Sequence, residues 1–327
     1  MSNADRSALV TGANAGLGFE AAAQLAEDGW GRVTLACRTA EKAETARSQL
    51  VERTGLDPFE VLAIDTSEVA SAENAAQELQ ERGETIDFLL LNAGASGQDA
   101  TFNSDGVEVT YASTLIGHHV LTMRALQDGV LSPNARIVIA GSEGARGNVP
   151  GMAVHDIGQI ADDSYDGDRV AAIEALARID TPEQDKFANM SEYVTAKLIV
   201  AWWPADLSRR LPAGTTVNAV SPGANLGTSF ARDAPAALRM VAMPVMKALG
   251  PVLGTNGPID KGSRRYLDAA EYADDDTGHF YATANRRKFV GPVDVQTWPG
   301  YFTDEQAQED GFRAIVALTG VGAPSSG

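Results

Sequence analysis

The stretch Ser7-Ala-Leu-Val-Thr-Gly12-Ala-Asn14-Ala-Gly16-Leu17-Gly18 decides the fold. Its apolar beginning predicts a short buried strand, and the alanine-rich segment after Gly18 predicts a helix. Glycines between the two permit a tight turn, and the amide groups at the start of the helix can bind a pyrophosphate. The spacing G-x-x-x-G-x-G differs from the general G-x-G-x-x-G fingerprint, but its place between the first strand and the first helix predicts similar mechanics. We predict a phosphate-binding turn formed by Gly12, Asn14, Gly16, Leu17 and Gly18; the alternative is a glycine-rich turn without a ligand.

Predicted strands and helices alternate along the first 142 residues. Apolar segments that suit buried strands are followed by segments with helical periodicity, which predicts repeated βα units and a parallel, doubly wound sheet. Because ligands in such sheets bind outside the carboxyl ends of the strands, motifs at these ends are expected to share one crevice. We predict an α/β fold with a single Rossmann domain over residues 1–320. The polar or glycine motifs at the predicted strand ends are Thr11-Gly12, Arg38, Asp65, Asn92-Ala93-Gly94, Ser142 and Ser221-Pro222-Gly223.

Several later segments depart from this alternation. Residues 144–189 are rich in acidic residues and glycines, and we interpret them as an insertion with a short helix near Arg169–Ile179. Its acidic run 162–168 lacks the twelve-residue spacing of a calcium loop, so a solvated acidic loop is the favoured interpretation. A long helix is predicted over Met190–Arg210, and Pro204 should kink or end it. We assign residues 224–255 to the substrate side and 321–327 to a flexible tail.

The charge balance limits the class of partner. The chain has 327 residues, with 26 basic and 44 acidic side chains and a net charge of −18, which argues against nucleic acid or an anionic membrane surface as the main partner. The single Cys37 rules out an internal disulfide framework and suits a reducing cytosol. The polar start offers no signal-peptide core, and no apolar stretch is long enough to span a bilayer. We predict a cytoplasmic protein that acts on a small molecule; its oligomeric state stays open, a homo-oligomer included.

The end of the second predicted strand indicates which dinucleotide is bound. In this architecture that position lies near the adenosine ribose, where an acidic residue would accept the 2′-hydroxyl of NAD. Arg38 stands there instead, and Lys42 follows one helical turn later, so two cations can bind a 2′-phosphate. We predict NADP(H) rather than NAD(H), although Lys42 could equally be an ordinary exposed lysine. Asp65 and Thr66 are expected near the adenine, with a turn or helix-cap role as the alternative for Asp65.

A tyrosine and a lysine are spaced for proton transfer. Tyr193 and Lys197 are four residues apart on the long predicted helix, so both lie on one face, about 6 Å apart along its axis. A nearby ammonium stabilises a phenolate and lowers the pKa of the tyrosine, which is otherwise about 10. Tyr193 can then donate a proton to a carbonyl oxygen as hydride arrives, or accept one in the reverse reaction. Ser142, at a predicted strand end, would hold and polarise that oxygen.

Taken together, these motifs resemble those of the short-chain dehydrogenase/reductase family over nearly the whole chain. The resemblance implies a seven-stranded sheet, Tyr193 as acid/base, Lys197 on the nicotinamide ribose, and Ser142 orienting the substrate. Within the family, Leu35-Ala-Cys-Arg38 and the long gap between Ser142 and Tyr193 resemble the branch of retinol dehydrogenases and light-dependent protochlorophyllide reductases. The resemblance also implies supporting or cofactor-binding roles for Asn92, Ala93, Gly94, Pro222, Gly223 and Thr228.

Two positions depart from the family pattern. Thr114 occupies the place of the family's fourth catalytic residue, an asparagine that supports a helix distortion and a water relay to the lysine. Thr114 could hold a water in the same way, so we keep it as a candidate catalytic residue. Ala224 stands where the protochlorophyllide reductases carry a cysteine near the substrate. The neighbouring His118 and His119 are interpreted as packing or surface residues rather than catalytic ones.

The substrate is expected to be an apolar small molecule. Phe230 and the methionine-rich segment Pro235–Leu253 supply an adaptable apolar wall, although the same pattern suits core packing or a subunit contact. The leading hypothesis is an NADP(H)-dependent oxidoreductase that acts on a carbonyl or alcohol group. Reduction of a conjugated C=C bond is the alternative enzyme activity. A cofactor-sensing protein that binds NADP(H) without turnover is the alternative of another class.

Overall fold

The computed structural model describes residues 2–83, 85–149, 152–182, 187–224 and 257–323. The candidate residues Thr228 and Phe230 and the apolar segment Pro235–Leu253 lie outside these ranges. Within the described ranges, no helix combines the length and the apolar character that crossing a membrane requires.

The described strands form one eight-stranded sheet in the order β3-β2-β1-β4-β5-β6-β7-β8. Neighbours from β3 across to β7 pair in parallel, and only the edge strand β8 runs antiparallel to its neighbour. The predicted doubly wound fold is therefore confirmed, and the implied seven parallel strands gain an eighth at the edge. The strands are β1 (Ser7–Thr11), β2 (Arg32–Cys37), β3 (Phe59–Ala63), β4 (Ile86–Leu91), β5 (Leu131–Ala140), β6 (Thr216–Val220), β7 (Phe280–Thr283) and β8 (Val293–Val295).

Helices cover both faces of the sheet, and each face has its own apolar core. The helices are α1 (Gly16–Glu27), α2 (Ala40–Thr54), α3 (Val69–Glu81), α4 (Val109–Tyr111), α5 (Gly117–Gln127), α6 (Ile157–Ser164), α7 (Arg169–Arg178), α8 (Asn189–Ser208), α9 (Ile259–Ala269) and α10 (Glu305–Thr319). One core lies under α1, α2 and α9, and the other lies under α3, α5 and α8. A π-helical turn, Ala112–Ile116, joins α4 to α5.

The long helix α8 follows its prediction closely. It was predicted over Met190–Arg210 with a kink or an end at Pro204, and it runs from Asn189 to Ser208 without ending at this proline. A proline removes a single helical hydrogen bond, and the buried neighbours Trp203 and Leu207 keep this part of the helix packed on the core. The face that carries Tyr193 and Lys197 is therefore anchored by a helix longer than a proline-terminated one would be.

The insertion is more ordered than a solvated acidic loop. It contains α6 in addition to the predicted helix α7, and Ile173 and Leu176 are buried in the core. Two of its acidic side chains have a structural task, because Asp156 and Asp168 accept N–H groups from the first turns of α6 and α7. The acidic character of this segment thus partly reflects helix capping rather than solvation alone.

Candidate active site

The glycine turn between β1 and α1 is shaped to admit an anion. Gly12 has φ +67°, a left-handed conformation that favours glycine. A side chain at Gly18 would begin 2.5 Å from both the Asn92 amide nitrogen and the Gly12 carbonyl oxygen, so only glycine fits. The residue before α1 is Ala15, whose methyl group cannot cap the first amides of the helix. These amides can therefore bind a phosphate, which is the fit that a dinucleotide requires.

The remaining predicted residues of the turn differ in exposure. Asn14 is exposed, whereas Leu17 is half-buried against the neighbouring core. The backbone amides of Ala13 and Asn14 point at the buried Cys37 sulfur and oppose the rise that burial causes in the pKa of this thiol, to about 11. The turn is thus held from below by β2.

The ends of β2 and β3 meet in a way the sequence did not predict. The Arg38 Nε lies 3.3 Å from Asp65 Oδ2, whereas the two residues were expected to contact different parts of the cofactor. The other oxygen of Asp65 accepts the backbone N–H and the hydroxyl of Ser67, at 3.1 and 2.6 Å. Asp65 therefore makes the hydrogen bonds of a turn residue, and its place near the adenine stays a prediction. Because the pair with Arg38 is solvent-exposed, it is weak and leaves the guanidinium able to engage a phosphate.

Two other predicted cofactor residues sit beside this pair. Lys42 is exposed in the first turn of α2, where its backbone N–H donates to the Thr39 hydroxyl. Thr66 is buried, and its carbonyl oxygen accepts the Gly117 N–H at 3.0 Å. The Thr66 backbone thus ties the third strand end to the start of α5.

The motif after β4 is bound to the end of β1. The Thr11 hydroxyl accepts the N–H groups of Asn92 and Ala93 at 2.8 and 2.9 Å, and the Asn92 side chain donates to the Thr11 carbonyl at 3.0 Å. These bonds join the two strands at which the sheet order reverses, the usual position of a ligand crevice. Gly94, the next residue, is exposed at this edge.

The structure brings Ser142, Tyr193 and Lys197 together at the carboxyl edge of the sheet. Ser142 follows β5, and its hydroxyl is hydrogen-bonded to the Tyr193 phenol and accepts the Gly144 N–H at 3.1 Å. Lys197 is buried, lies 5.9 Å from the centre of the Tyr193 ring, and donates from Nζ to the Ala140 carbonyl at 2.6 Å. A hydroxyl, a phenol and an ammonium therefore occupy one small region.

Electrostatics in this region differ from the prediction. Burial raises the pKa of Tyr193; the bond from Ser142 opposes this rise, and the nearby Glu143 charge adds to it. Burial also lowers the pKa of Lys197 from 10.5 to about 7. Burial is the largest effect on the pKa of Tyr193, so the net shift is upward and not the lowering that was expected from Lys197. In this state Tyr193 carries its proton at neutral pH and can act as an acid.

Thr114 lies in the π-helical turn, where the resemblance implied a helix distortion. Its hydroxyl is buried and, among the described residues, has no hydrogen-bond partner. It faces Gly94, since a Cβ added to that glycine would lie 3.4 Å from Thr114 Oγ1. The distortion is therefore present without the family's asparagine.

A buried carboxylate next to Ser142 escaped the sequence reasoning. Glu143 accepts the Thr283 hydroxyl at 3.0 Å and the Ser221 hydroxyl, and it pairs with Arg265 at 3.4 Å. Arg265 also donates to the Ser221 carbonyl at 3.1 Å, directly below the Pro222-Gly223 motif. The pair therefore joins the ends of β5, β6 and β7. A charged residue immediately after the strand-end serine was the one signal in the sequence.

The motif after β6 keeps its predicted place at the same edge. Gly223 has φ +78°, and its N–H donates to the Ser221 hydroxyl at 3.3 Å. A side chain there would begin 2.4 Å from the Phe289 carbonyl and 3.1 Å from the Arg265 guanidinium. Pro222 and Gly223 are thus fixed beside Ser142, while Thr228 falls outside the described residues.

We expect Glu143→Gln to lower the pKa of the Tyr193 phenol, because it removes a negative charge that raises this pKa. In any reaction that uses the Tyr193 phenolate as a base, the rate should then reach its plateau at a pH lower by up to about one unit. The pH–rate profile of such a reaction measures this shift. Glu20→Gln is the matched control, because Glu20 is also buried and paired with an arginine, Arg53, but on α1. A profile that moves equally in both variants would contradict the assignment.

Comparison with known proteins points in one direction. The family model described as short chain dehydrogenase matches residues 6–155. Human retinol dehydrogenase 13 is 29% identical over 219 residues, which are 67% of this chain and 58% of that protein. The chloroplastic protochlorophyllide reductase of Chlamydomonas reinhardtii is 33% identical over 158 residues, 45% of this chain and 39% of that protein. The chain spans about half the length of the first curated relatives it matches, from 50% to 51%.

A solved structure extends the similarity of fold to nearly the whole chain. A putative uncharacterized protein from Mycobacterium paratuberculosis superposes with a TM-score of 0.69 at 22% identity, covering 99% of this chain and 96% of the other. At this identity the likeness concerns the fold.

Proposed function

We propose that this chain is a member of the short-chain dehydrogenase/reductase family and transfers a hydride between NADP(H) and a carbonyl or alcohol group of an apolar small molecule, with Tyr193 as the acid/base. One observation carries the proposal. The Tyr193 phenol is hydrogen-bonded to Ser142 at the carboxyl edge of the sheet, with the Lys197 ammonium one helical turn away. The phosphate turn after β1 opens at the same edge.

The side chains divide the chemistry of carbonyl reduction between them. NADPH, when bound, supplies the hydride. The Ser142 hydroxyl holds the substrate oxygen, and the protonated Tyr193 donates to that oxygen as negative charge develops on it. Lys197 places a positive charge beside the phenolate that remains. In the oxidation direction the same groups act in reverse, with Tyr193 accepting the proton of the alcohol.

The apolar character of the substrate rests on composition. Phe230 and the methionine-rich segment Pro235–Leu253 follow the Pro222-Gly223 motif and supply the apolar side chains for a substrate wall. Because these residues lie outside the described ranges, this part of the proposal is tested by the choice of substrates.

We propose NADP(H) rather than NAD(H) because of the cations at the end of β2. Arg38 is half exposed, and Lys42 stands one turn further along α2. Asp65 is the acidic residue close by, but its oxygens are engaged by Ser67 and Arg38 itself. A 2′-phosphate would therefore meet a guanidinium and an ammonium rather than a free carboxylate.

Arg38→Asp should reverse the cofactor preference. Loss of a charge-assisted hydrogen bond costs about 1.5–3 kcal/mol, so the dissociation constant for NADPH should rise roughly 10–100-fold while that for NADH changes little. Fluorescence titration with both cofactors measures the change. The control is Arg47→Asp, which makes the same substitution in an arginine of α2 that pairs with Asp57. Equal loss of NADPH affinity in both variants would contradict the assignment of Arg38.

The activity itself is tested with NADPH and a panel of apolar ketones, aldehydes and enones, followed by the absorbance of NADPH. Turnover of carbonyl compounds supports the proposal. Turnover of enones alone would favour C=C reduction, and tight binding of NADPH without turnover of any compound would favour a cofactor-sensing protein. Absence of NADPH binding would contradict the proposal outright.

A further inference from the structure

His118 uses both nitrogens of its ring in the interior of the site. It lies in α5 and is 1% exposed. Its Nδ1 is 3.0 Å from the Thr114 carbonyl oxygen, and its Nε2 is 2.9 Å from the Thr11 hydroxyl. A carbonyl only accepts, so Nδ1 carries the proton and donates it to Thr114. Burial lowers the pKa of His118 to about 3, so the ring is neutral and Nε2 is an acceptor.

The direction of every bond around the Thr11 hydroxyl follows from this tautomer. Its oxygen already accepts the N–H groups of Asn92 and Ala93. Its single proton is therefore free to be donated, and His118 Nε2 at 2.9 Å is a nearer acceptor than the Leu90 carbonyl at 3.4 Å. The hydroxyl thus donates to its nearer acceptor only while His118 presents an unprotonated Nε2.

The two ends of this connection lie at different parts of the proposed site. Thr11 directly precedes Gly12, and a Cβ added to Gly12 would lie 3.0 Å from the Ala93 Cα. The phosphate turn therefore packs against Ala93, whose N–H donates to the Thr11 hydroxyl. Thr114 lies in the π-helical turn and faces Gly94. His118 therefore spans the gap between the phosphate turn and the distorted helix.

We propose that His118 is a positioning residue: as the neutral Nδ1–H tautomer it couples the π-helical turn at Thr114 to the phosphate turn at Gly12 through the Thr11 hydroxyl. The inference rests on the proposed function, because its consequence is a phosphate turn set at the right distance for the dinucleotide. It assigns a further role to a histidine that was interpreted from the sequence as a packing or surface residue.

His119 provides a matched comparison within the same helix. It is also 1% exposed, but its Nε2 is 2.7 Å from the Val321 carbonyl and its Nδ1 accepts the Trp203 indole N–H at 3.0 Å. These partners belong to α8 and to the segment after α10, and neither is Thr11 or Thr114. Replacing His119 removes a buried histidine with two hydrogen bonds but leaves the connection from Thr114 to Thr11 intact.

The test compares NADPH affinity and thermal stability in a set of variants. His118→Leu removes both bonds, His118→Gln keeps an acceptor for Thr11, His118→Asn keeps a donor for Thr114, and His119→Leu is the control. An unsatisfied buried group costs about 1–3 kcal/mol, so His118→Leu should weaken NADPH binding roughly 5–100-fold. We expect His118→Gln to recover most of the affinity and His118→Asn to recover little. His119→Leu should lower the melting temperature while its NADPH affinity stays within about threefold, a smaller change than one lost hydrogen bond produces.

Three results would overturn the inference. One is a loss of affinity in His118→Leu and His119→Leu that simply follows their loss of stability. Another is rescue by His118→Asn but not by His118→Gln. The third is a ring that carries its proton on Nε2, which ¹⁵N chemical shifts of the folded protein report without any ligand. Failure of the wild-type protein to bind NADPH would instead contradict the proposed function, and the ring tautomer would still be measured.

Discussion

Tyr193→Phe should lower kcat by roughly 10²–10⁴-fold, the range that a positioned general acid contributes. The substitution removes the phenolic oxygen and keeps the ring, so the aromatic surface of α8 stays in place. The dissociation constant for NADPH should change by no more than about tenfold, because the substitution removes one hydrogen bond at most from the cofactor. Single-turnover oxidation of NADPH with a substrate from the panel separates these two effects.

A second buried tyrosine supplies the control for this experiment. Tyr266 on α9 is 1% exposed and close enough to Tyr193 for the charge of one phenolate to raise the pKa of the other. Tyr266→Phe removes the same oxygen from a neighbouring position on α9. We expect its kcat to remain near that of the wild type. A comparable loss in both variants, or full turnover by Tyr193→Phe, would remove Tyr193 from the role of acid.

The sequence predicted the sheet well because most of its parallel strands are buried on both faces. Such strands are short apolar segments bounded by polar residues, and β1, β2 and β4 end at or directly before the predicted strand-end residues Thr11, Arg38 and Asn92. Such patterns involve only residues that are close in sequence, so they can be recognised without knowledge of the rest of the fold. The insertion was harder, because α6 has only eight residues and its acidic caps resemble a solvated loop.

The proposed trio of Ser142, Tyr193 and Lys197 could also be predicted, since each member stands in a local motif. The buried pairs around these residues could not. Glu143 and Arg265 are 122 positions apart, and His118 and Thr11 are 107 apart, so only the folded sheet brings them together. The pairing of Arg38 with Asp65 arises in the same way, because β2 and β3 are neighbours in the sheet. Strand-end motifs thus predict which residues share an edge, but not which of them bond to each other.

Desolvation is the other effect that local sequence patterns do not reveal. Spacing alone suggested that Lys197 would lower the pKa of Tyr193, but both groups are buried and each loses stability in its charged form. How deeply a side chain lies depends on the elements packed around it, here β5, β6 and α8. The protonation states at this site therefore had to come from the structure.

Lys197→Met should raise the stability of the protein and lower its activity. Removing a buried charge that stabilises a transition state costs about 10²–10³-fold in kcat, and we expect a loss in this range. The same substitution removes an ammonium group that is desolvated in the folded protein. We expect a net gain of about 1–2 kcal/mol at pH 6, because the Ala140 carbonyl also loses its donor. The melting temperature should therefore rise by roughly 2–8 °C although the enzyme is nearly inactive.

The gain in stability from Lys197→Met is expected to depend on pH. Lys197 has a pKa of about 7 in the folded protein and 10.5 ordinarily, so between these values the unfolded chain binds more protons than the folded one. The stability of the wild type then increases as pH rises from 7 towards 10, and below pH 7 the full penalty for the buried charge is present. The stabilisation by Lys197→Met should be largest near pH 6 and shrink towards pH 10. Thermal melts across this range measure it, and Lys261→Met, which replaces an exposed lysine of α9, should show neither the gain nor the loss of activity. A variant less stable than the wild type at pH 6 would mean that Lys197 is held by interactions that outweigh its desolvation.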